Sequence, residues 1–238
     1  MWWPEWSSVI SDSHIRRLGA SCGVLFAACI FFGNGNLLGD SSSIDSAGSL
    51  YKVLSDTNNI SVGVFFTTIG ALFAVGFAMA LRSVIAPDET MPGGLSTVVL
   101  VAAATGAALT GIGPALMRGV TLRIDQATST PDIAAFSHAS AATLFFYASI
   151  FFSIEALATS AAALRGGTLP RWFGWLSLIL GAAMVVGAAG AAFGSALAFI
   201  GSMALLAFHV VGAVAVWRAA TIEQPGPNPS APRIEVPA

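Results

Sequence analysis

The sequence predicts an all-α, polytopic bundle of six membrane-spanning helices, and three observations predict it. Charged residues make up 9% of the chain, against roughly a quarter in soluble domains. Six runs of mostly apolar residues are bounded by charge, Pro or Gly, and each reaches the roughly 20 residues that a helix needs to cross the hydrocarbon. Nothing alternates with the period of two that a membrane barrel requires.

The spans are placed at 18–38, 60–81, 95–117, 133–164, 172–193 and 196–217. Before the first stands "MWWPEWSSVISDSHIRR", residues 1–17. Its tryptophans favour the headgroup layer, so it reads as an interfacial leader to a retained helix, because a cleavable signal would open with basic residues and have a shorter apolar core. Cys22 and Cys29 lie on this span seven residues apart, about 10 Å along a helix. That is too far for a disulfide, and they lack His partners for a metal, so they read as small buried residues.

The loop "GDSSSIDSAGSLYKVLSDTNN" follows. Leu50, Val53 and Leu54 recur in it at helical spacing, which fits either a short amphipathic helix on the outer leaflet or a flexible loop. The third span contains "AAATGAALTGIGP" and the fifth "GAAMVVGAAGAAFG" with Gly190 and Gly194. Such small residues let helices approach closely in lipid, within the bundle or across a dimer interface. Pro114 is expected to bend the third span, where it removes a backbone donor. "ALRSVIAP" and "ALRGGTLP" hint at a parallel repeat of two hairpins, although shared membrane-boundary composition explains them as well. The domain therefore runs over 18–220, and the Pro-rich tail 221–238 has little to bury and is expected to be disordered.

Arg16, Arg17, Arg82, Arg165, Arg171, Arg218 and Arg233 fall on one side of this layout, and Lys52, Arg118 and Arg123 on the other. By the positive-inside rule both termini are expected to be cytoplasmic. A net charge of −2 offers no basic face for nucleic acid, and no run of Lys and Arg marks a lipid-headgroup site. The expected partners are the lipid bilayer, a small-molecule or proton substrate, and a membrane-protein partner or second copy of the chain.

Within the apolar runs one acid stands out, in "FFYASIFFSIEALATSAAALRGG". Glu155 precedes Arg165 by ten residues, about 15 Å, near the centre of a layer about 30 Å thick. A charge there costs about 3 kcal/mol on insertion scales, so the carboxyl must face the bundle and be paired or protonated. His209 precedes Arg218 by nine residues, and both helices end on the arginine side. The two groups are therefore expected at the same depth. Ala141, Ala148, Glu155 and Ala162 recur every seven residues, as do Ser195, Ser202 and His209. Glu155, His209, Thr159 and Ser202 form the candidate polar site, read either as structural glue fixing helix register or as a proton-accepting pair in a transport or binding cavity.

His138, with Asp132, is expected to cap or solvate the start of its helix. Asn34 and Asn36 either line a vestibule or end theirs. No His and acidic residues stand at zinc-ligand spacing, no Gly-rich loop follows a strand, and no Ser/His/Asp set shares a depth. No catalytic residue, cofactor or metal is expected.

At "ALRGGTLPRWFGWLSLILG", through Leu169, Pro170, Arg171, Trp172, Gly174, Trp175 and Leu176, the chain resembles a recurrent element of uncharacterised bacterial, especially actinobacterial, multi-pass membrane proteins grouped as domain-of-unknown-function families. Phe173 stands where those proteins usually have Leu. The resemblance implies a six-span protein of the bacterial plasma membrane and carries over no catalytic residue. Physically the element is a boundary device, in which Pro170 starts a helix and Arg171, Trp172 and Trp175 anchor it at the interface. The leading functional expectation is small-molecule or proton-coupled transport through the site at Glu155 and His209. The alternative is a membrane scaffold or accessory subunit acting by helix packing.

Overall fold

The computed structural model describes residues 12–38, 46–89, 94–166, 168–192 and 197–221. Seven α-helices and no strand occur among them: α1 (Asp12–Leu38), α2 (Ala47–Leu54), α3 (Thr57–Ile85), α4 (Leu95–Asp125), α5 (Pro131–Leu164), α6 (Arg171–Ala192) and α7 (Leu197–Thr221). All but α2 are long and apolar enough to cross a membrane. The tryptophans of the leader, loop residues 39–45, Gly194 and the tail beyond Thr221 lie outside the described residues.

Several helices extend past their apolar runs because capping groups, not hydropathy, set their ends. Asp56 accepts from the Asn59 N–H at 3.1 Å to start α3. The Glu89 carboxylate accepts from both the N–H and the hydroxyl of Ser96, each at 2.6 Å, and holds the first turn of α4. Thr130 caps α5, with Pro131 in its first turn. The Pro170 carbonyl accepts from the Phe173 N–H at 3.0 Å and so precedes the start of α6. Both hairpins that looked repeated thus start their second helix with the same backbone bonds, from Gly94 and from Pro170, and the first adds the Glu89 carboxylate.

The six long helices form a closed ring, each packed on two neighbours in the cyclic order α1, α3, α4, α5, α6, α7 and back to α1. Small residues permit this closeness. A Cβ on Gly19 would collide with Ala80, and one on Gly33 with the Thr67 hydroxyl. A Cβ on Gly187 of α6 would enter the backbone of Gly201 on α7. These contacts use the small residues inside the bundle. Large apolar side chains such as Phe31, Phe65, Leu72 and Phe199 point outward, as a lipid-facing surface requires.

The stretch whose reading the sequence left open is a helix. Ser46 and Ser49 cap α2 reciprocally, and Leu50 and Leu54, one turn apart, are buried against Leu37, Ile60, Met117, Val120 and Ala134. Its apolar face therefore turns onto the end of the bundle, where these residues offer more complementary packing than a leaflet would. The ring has two distinct ends. Arg16, Arg17, Arg82, Arg165, Arg171 and Arg218 lie near helix ends that meet at one of them, and α2 covers the other.

Candidate functional site

Because α5 and α7 run in the same direction, equal spacing from Arg165 and Arg218 becomes equal depth. The structure brings the acid and the imidazole together across the ring. Glu155 Oε2 lies 4.0 Å from His209 Nε2, and both side chains are 0% exposed. The other two residues of the sequence-derived set stand apart from this contact. The Thr159 hydroxyl is buried but donates to the Glu155 backbone carbonyl at 2.8 Å, so it does not serve the carboxyl group. Ser202 donates to the Ala198 carbonyl at 3.2 Å and lines a cavity two turns away from His209.

Rings enclose the imidazole. Its centroid lies 4.1 Å from Phe26, 5.2 Å from Phe77, 5.5 Å from Phe152 and 5.3 Å from Phe208. Phe173 stacks on Phe208 at 6.2 Å with an interplanar angle of 12°. Glycines make room for this box. A Cβ on Gly23 would stand 2.7 Å from the His209 carbonyl oxygen and 2.9 Å from Phe77, and one on Gly212 would stand 2.6 Å from Phe77.

The hydrogen bonding of the pair has a chemical consequence. His209 Nδ1 sits 2.9 Å from the Leu205 carbonyl oxygen. A carbonyl can only accept, so Nδ1 carries a hydrogen and Nε2 is the nitrogen facing Glu155. A slightly closer approach would allow either of two bonded arrangements: a neutral carboxylic acid donating to a neutral Nε2, or a carboxylate facing an imidazolium. They differ by the position of one proton between Glu155 Oε2 and His209 Nε2. Both carboxylate oxygens and Nε2 lack a hydrogen-bond partner, because at 4.0 Å the two groups stand just beyond hydrogen-bond reach.

A central cavity of about 290 Å³ occupies the other half of the ring, and all six long helices line it. Asn34, Thr67, Pro114, His138, Ser149, Gly187 and Ser202 are among its walls. Pro114 is buried within α4, which continues through it to Asp125. His138 departs from its expected role at the start of the helix. Thr130 caps α5, and His138, seven residues in, borders the cavity. Asn34 likewise lines the cavity while α1 continues to Leu38, whereas Asn36 bonds back to the Phe32 carbonyl at 2.8 Å. Ser149 lies six residues before Glu155, about 9 Å along the helix. Phe152 stands between them on α5, and its ring meets Phe26 at 5.5 Å. The Glu155–His209 pair does not border the cavity, and neither do Phe26 and Phe152, which pack on the imidazole.

Phe26, Phe77, Phe152, Phe208, Gly23 and Gly212 were not singled out from the sequence. In one dimension a ring-facing Phe looks the same as a lipid-facing one, and only the spacing of Gly19 and Gly23 on α1 signals close packing. Trp172 and Trp175 are exposed at the start of α6, as is Arg171. The Phe173 between them is fully buried, so this boundary element also supplies a wall of the box. Both cysteines are free thiols on α1. No family model matches the chain, and no curated protein or solved structure is similar to it.

Proposed function

We propose that this protein is a proton-coupled transporter of small, mainly apolar molecules bearing a polar end, which its central cavity holds. One observation carries the reading: a cavity lined by all six long helices reaches Ser149 and Ser202, on the same two helices as a buried acid–imidazole pair against which Phe26 and Phe152 pack. A structural ion pair stabilises a buried site only when its geometry is good and its remaining lone pairs are satisfied. A separation of 4.0 Å with three unpartnered atoms fits better a site whose proton arrives and leaves. The cavity supplies apolar walls with Asn34, Thr67, His138, Ser149 and Ser202 as scattered polar contacts, as a small-molecule pocket does.

In this reading the protein belongs with the bacterial plasma-membrane proteins whose fifth-helix element it resembles. The arginine end is cytoplasmic by the positive-inside rule, and the cavity lies toward the outer end of the bundle, beneath α2. Protonation changes the charges beside these two rings, and rearrangement of Phe26 and Phe152 joins the cavity to the pair.

The test is proton movement in proteoliposomes enclosing a pH-sensitive dye, under an imposed pH gradient and with a panel of small hydrophobic amines, alcohols and acids outside. The reading predicts that some of these accelerate proton movement and that Glu155→Gln abolishes the acceleration while the bundle stays folded. Acceleration that survives Glu155→Gln, or none with any compound, sinks it. The complete enclosure of the pair favours a second reading, a packing subunit in which Glu155 and His209 fix helix register. Crosslinking in native membranes would then recover a stoichiometric partner.

A further inference from the structure

Far from the central cavity, a groove of about 500 Å³ runs down the outside of the bundle between α1 and α7 at the arginine end. Ala20 and Ala213 form its bottom, and the half-exposed Val24, Leu25 and Val214 form its sides. Trp217 and Arg218 close its upper end. The Arg17 guanidinium lies over the Trp217 ring, 5.8 Å from its centroid, which brings cationic side chains from the two ends of the chain to one groove mouth. Among the described residues, no carboxylate forms an ion pair with Arg16, Arg17 or Arg218. Arg16 is turned inward, donating to the Ser83 carbonyl at 3.2 Å. Arg17 Nε is shielded from solvent yet has no hydrogen-bond partner.

We infer that this groove binds one anionic phospholipid, with an acyl chain along Val24, Leu25 and Val214 and the headgroup phosphate between Arg17 and Arg218. Charge complementarity selects the occupant. The walls are apolar apart from Ser21, whose hydroxyl is turned to the Arg17 carbonyl, and among the described residues no carboxylate pairs with the two guanidinium groups at the mouth. A phosphodiester supplies a negative charge and acceptor oxygens for guanidinium N–H groups, and its tails match the walls. The stacked Trp217 holds Arg17 in place, since guanidinium on an indole face is a favourable arrangement. No run in the sequence announces the site, because Arg17 and Arg218 are 201 residues apart. The proposal is independent of the transport reading.

Native mass spectrometry of the purified full chain in detergent tests it, titrating dioleoyl-phosphatidylglycerol or dioleoyl-phosphatidylcholine and measuring the affinity of the first bound lipid. The anionic lipid is expected to bind more tightly, by about fivefold for each arginine engaged. The double variant Arg17→Gln/Arg218→Gln should lose that preference. Ser21→Trp, which fills the groove while keeping both guanidinium charges, should weaken both lipids. Arg165→Gln, at the same end but away from the groove, should change nothing, and free glycerol phosphate should not compete. Equal affinity for the two lipids overturns the proposal. So does an Arg165→Gln loss as large as that of the double variant, which would mean general surface charge, or full competition by glycerol phosphate, which would mean a free-anion site. If the double variant fails to fold, the wild-type lipid comparison and Ser21→Trp still decide.

Discussion

Replacing Glu155 by Gln and His209 by Ala, singly and together, measures whether the two side chains act as a unit. Gln keeps the volume of Glu, so the first arm removes the titrating group with little packing change. Ala leaves a hole among four phenylalanine rings, and ring deletions from cores cost about 3–5 kcal/mol. That cavity contribution appears in both His209 arms and cancels in the cycle. Unit charges 4.0 Å apart attract by about 4 kcal/mol at an effective dielectric of about 20, while neutral polar pairs between membrane helices average about 0.6 kcal/mol. In the proposed mechanism a proton passing between the two groups makes the pair charge-separated for part of the time. We therefore expect a coupling of about 1–3 kcal/mol, above the neutral average and below the Coulomb limit. Reversible unfolding in bicelles, read for all four proteins, supplies the numbers. Losses that add to within about 0.5 kcal/mol would refute the pairing and the proton-sharing argument built on it.

The remaining expectations concern the phenylalanines beside the pair, the ring and its cap. With Cys22 and Cys29 changed to Ala, Glu155→Cys should resist a water-soluble thiol reagent, and adding Phe152→Ala should open it to labelling from the cavity; labelling in both backgrounds would mean that Phe152 does not seal it. Gly187→Val should force α6 from α7 and destabilise the bundle by about 1–3 kcal/mol, whereas Gly111→Val, where a Cβ meets nothing within 4 Å, should change unfolding little. Leu54→Ala should cost about 2–5 kcal/mol and raise hydrogen exchange across residues 47–54; unchanged exchange there would show that α2 is held by something other than its buried leucines.

The fold class could be read directly from composition, because a bilayer admits only backbones that satisfy their own hydrogen bonds, and long apolar runs then have to be helices. The same economy explains why Glu155 and His209 could be matched. A helix rises by a constant amount per residue, so two residues nine and ten positions from arginines at the same end must share a depth. Helix ends were less legible, since Asp56, Glu89 and Thr130 set them through hydrogen bonds that hydropathy does not register.

Depth is one coordinate, and the sequence by itself determined that coordinate for nearly every polar group in the chain. Rotation about each helix axis and the choice of neighbours are the other two, and only the closed ring decided them. That is why Thr159 and Ser202, sound by periodicity, serve a carbonyl and a cavity wall in place of the pair. It is also why His138 borders a cavity, why Phe26 and Phe152 meet beside His209, and why Arg17 meets Trp217 at a groove. Such contacts join residues more than a hundred positions apart, and no local pattern encodes which apolar side chain turns toward its neighbours and which toward lipid.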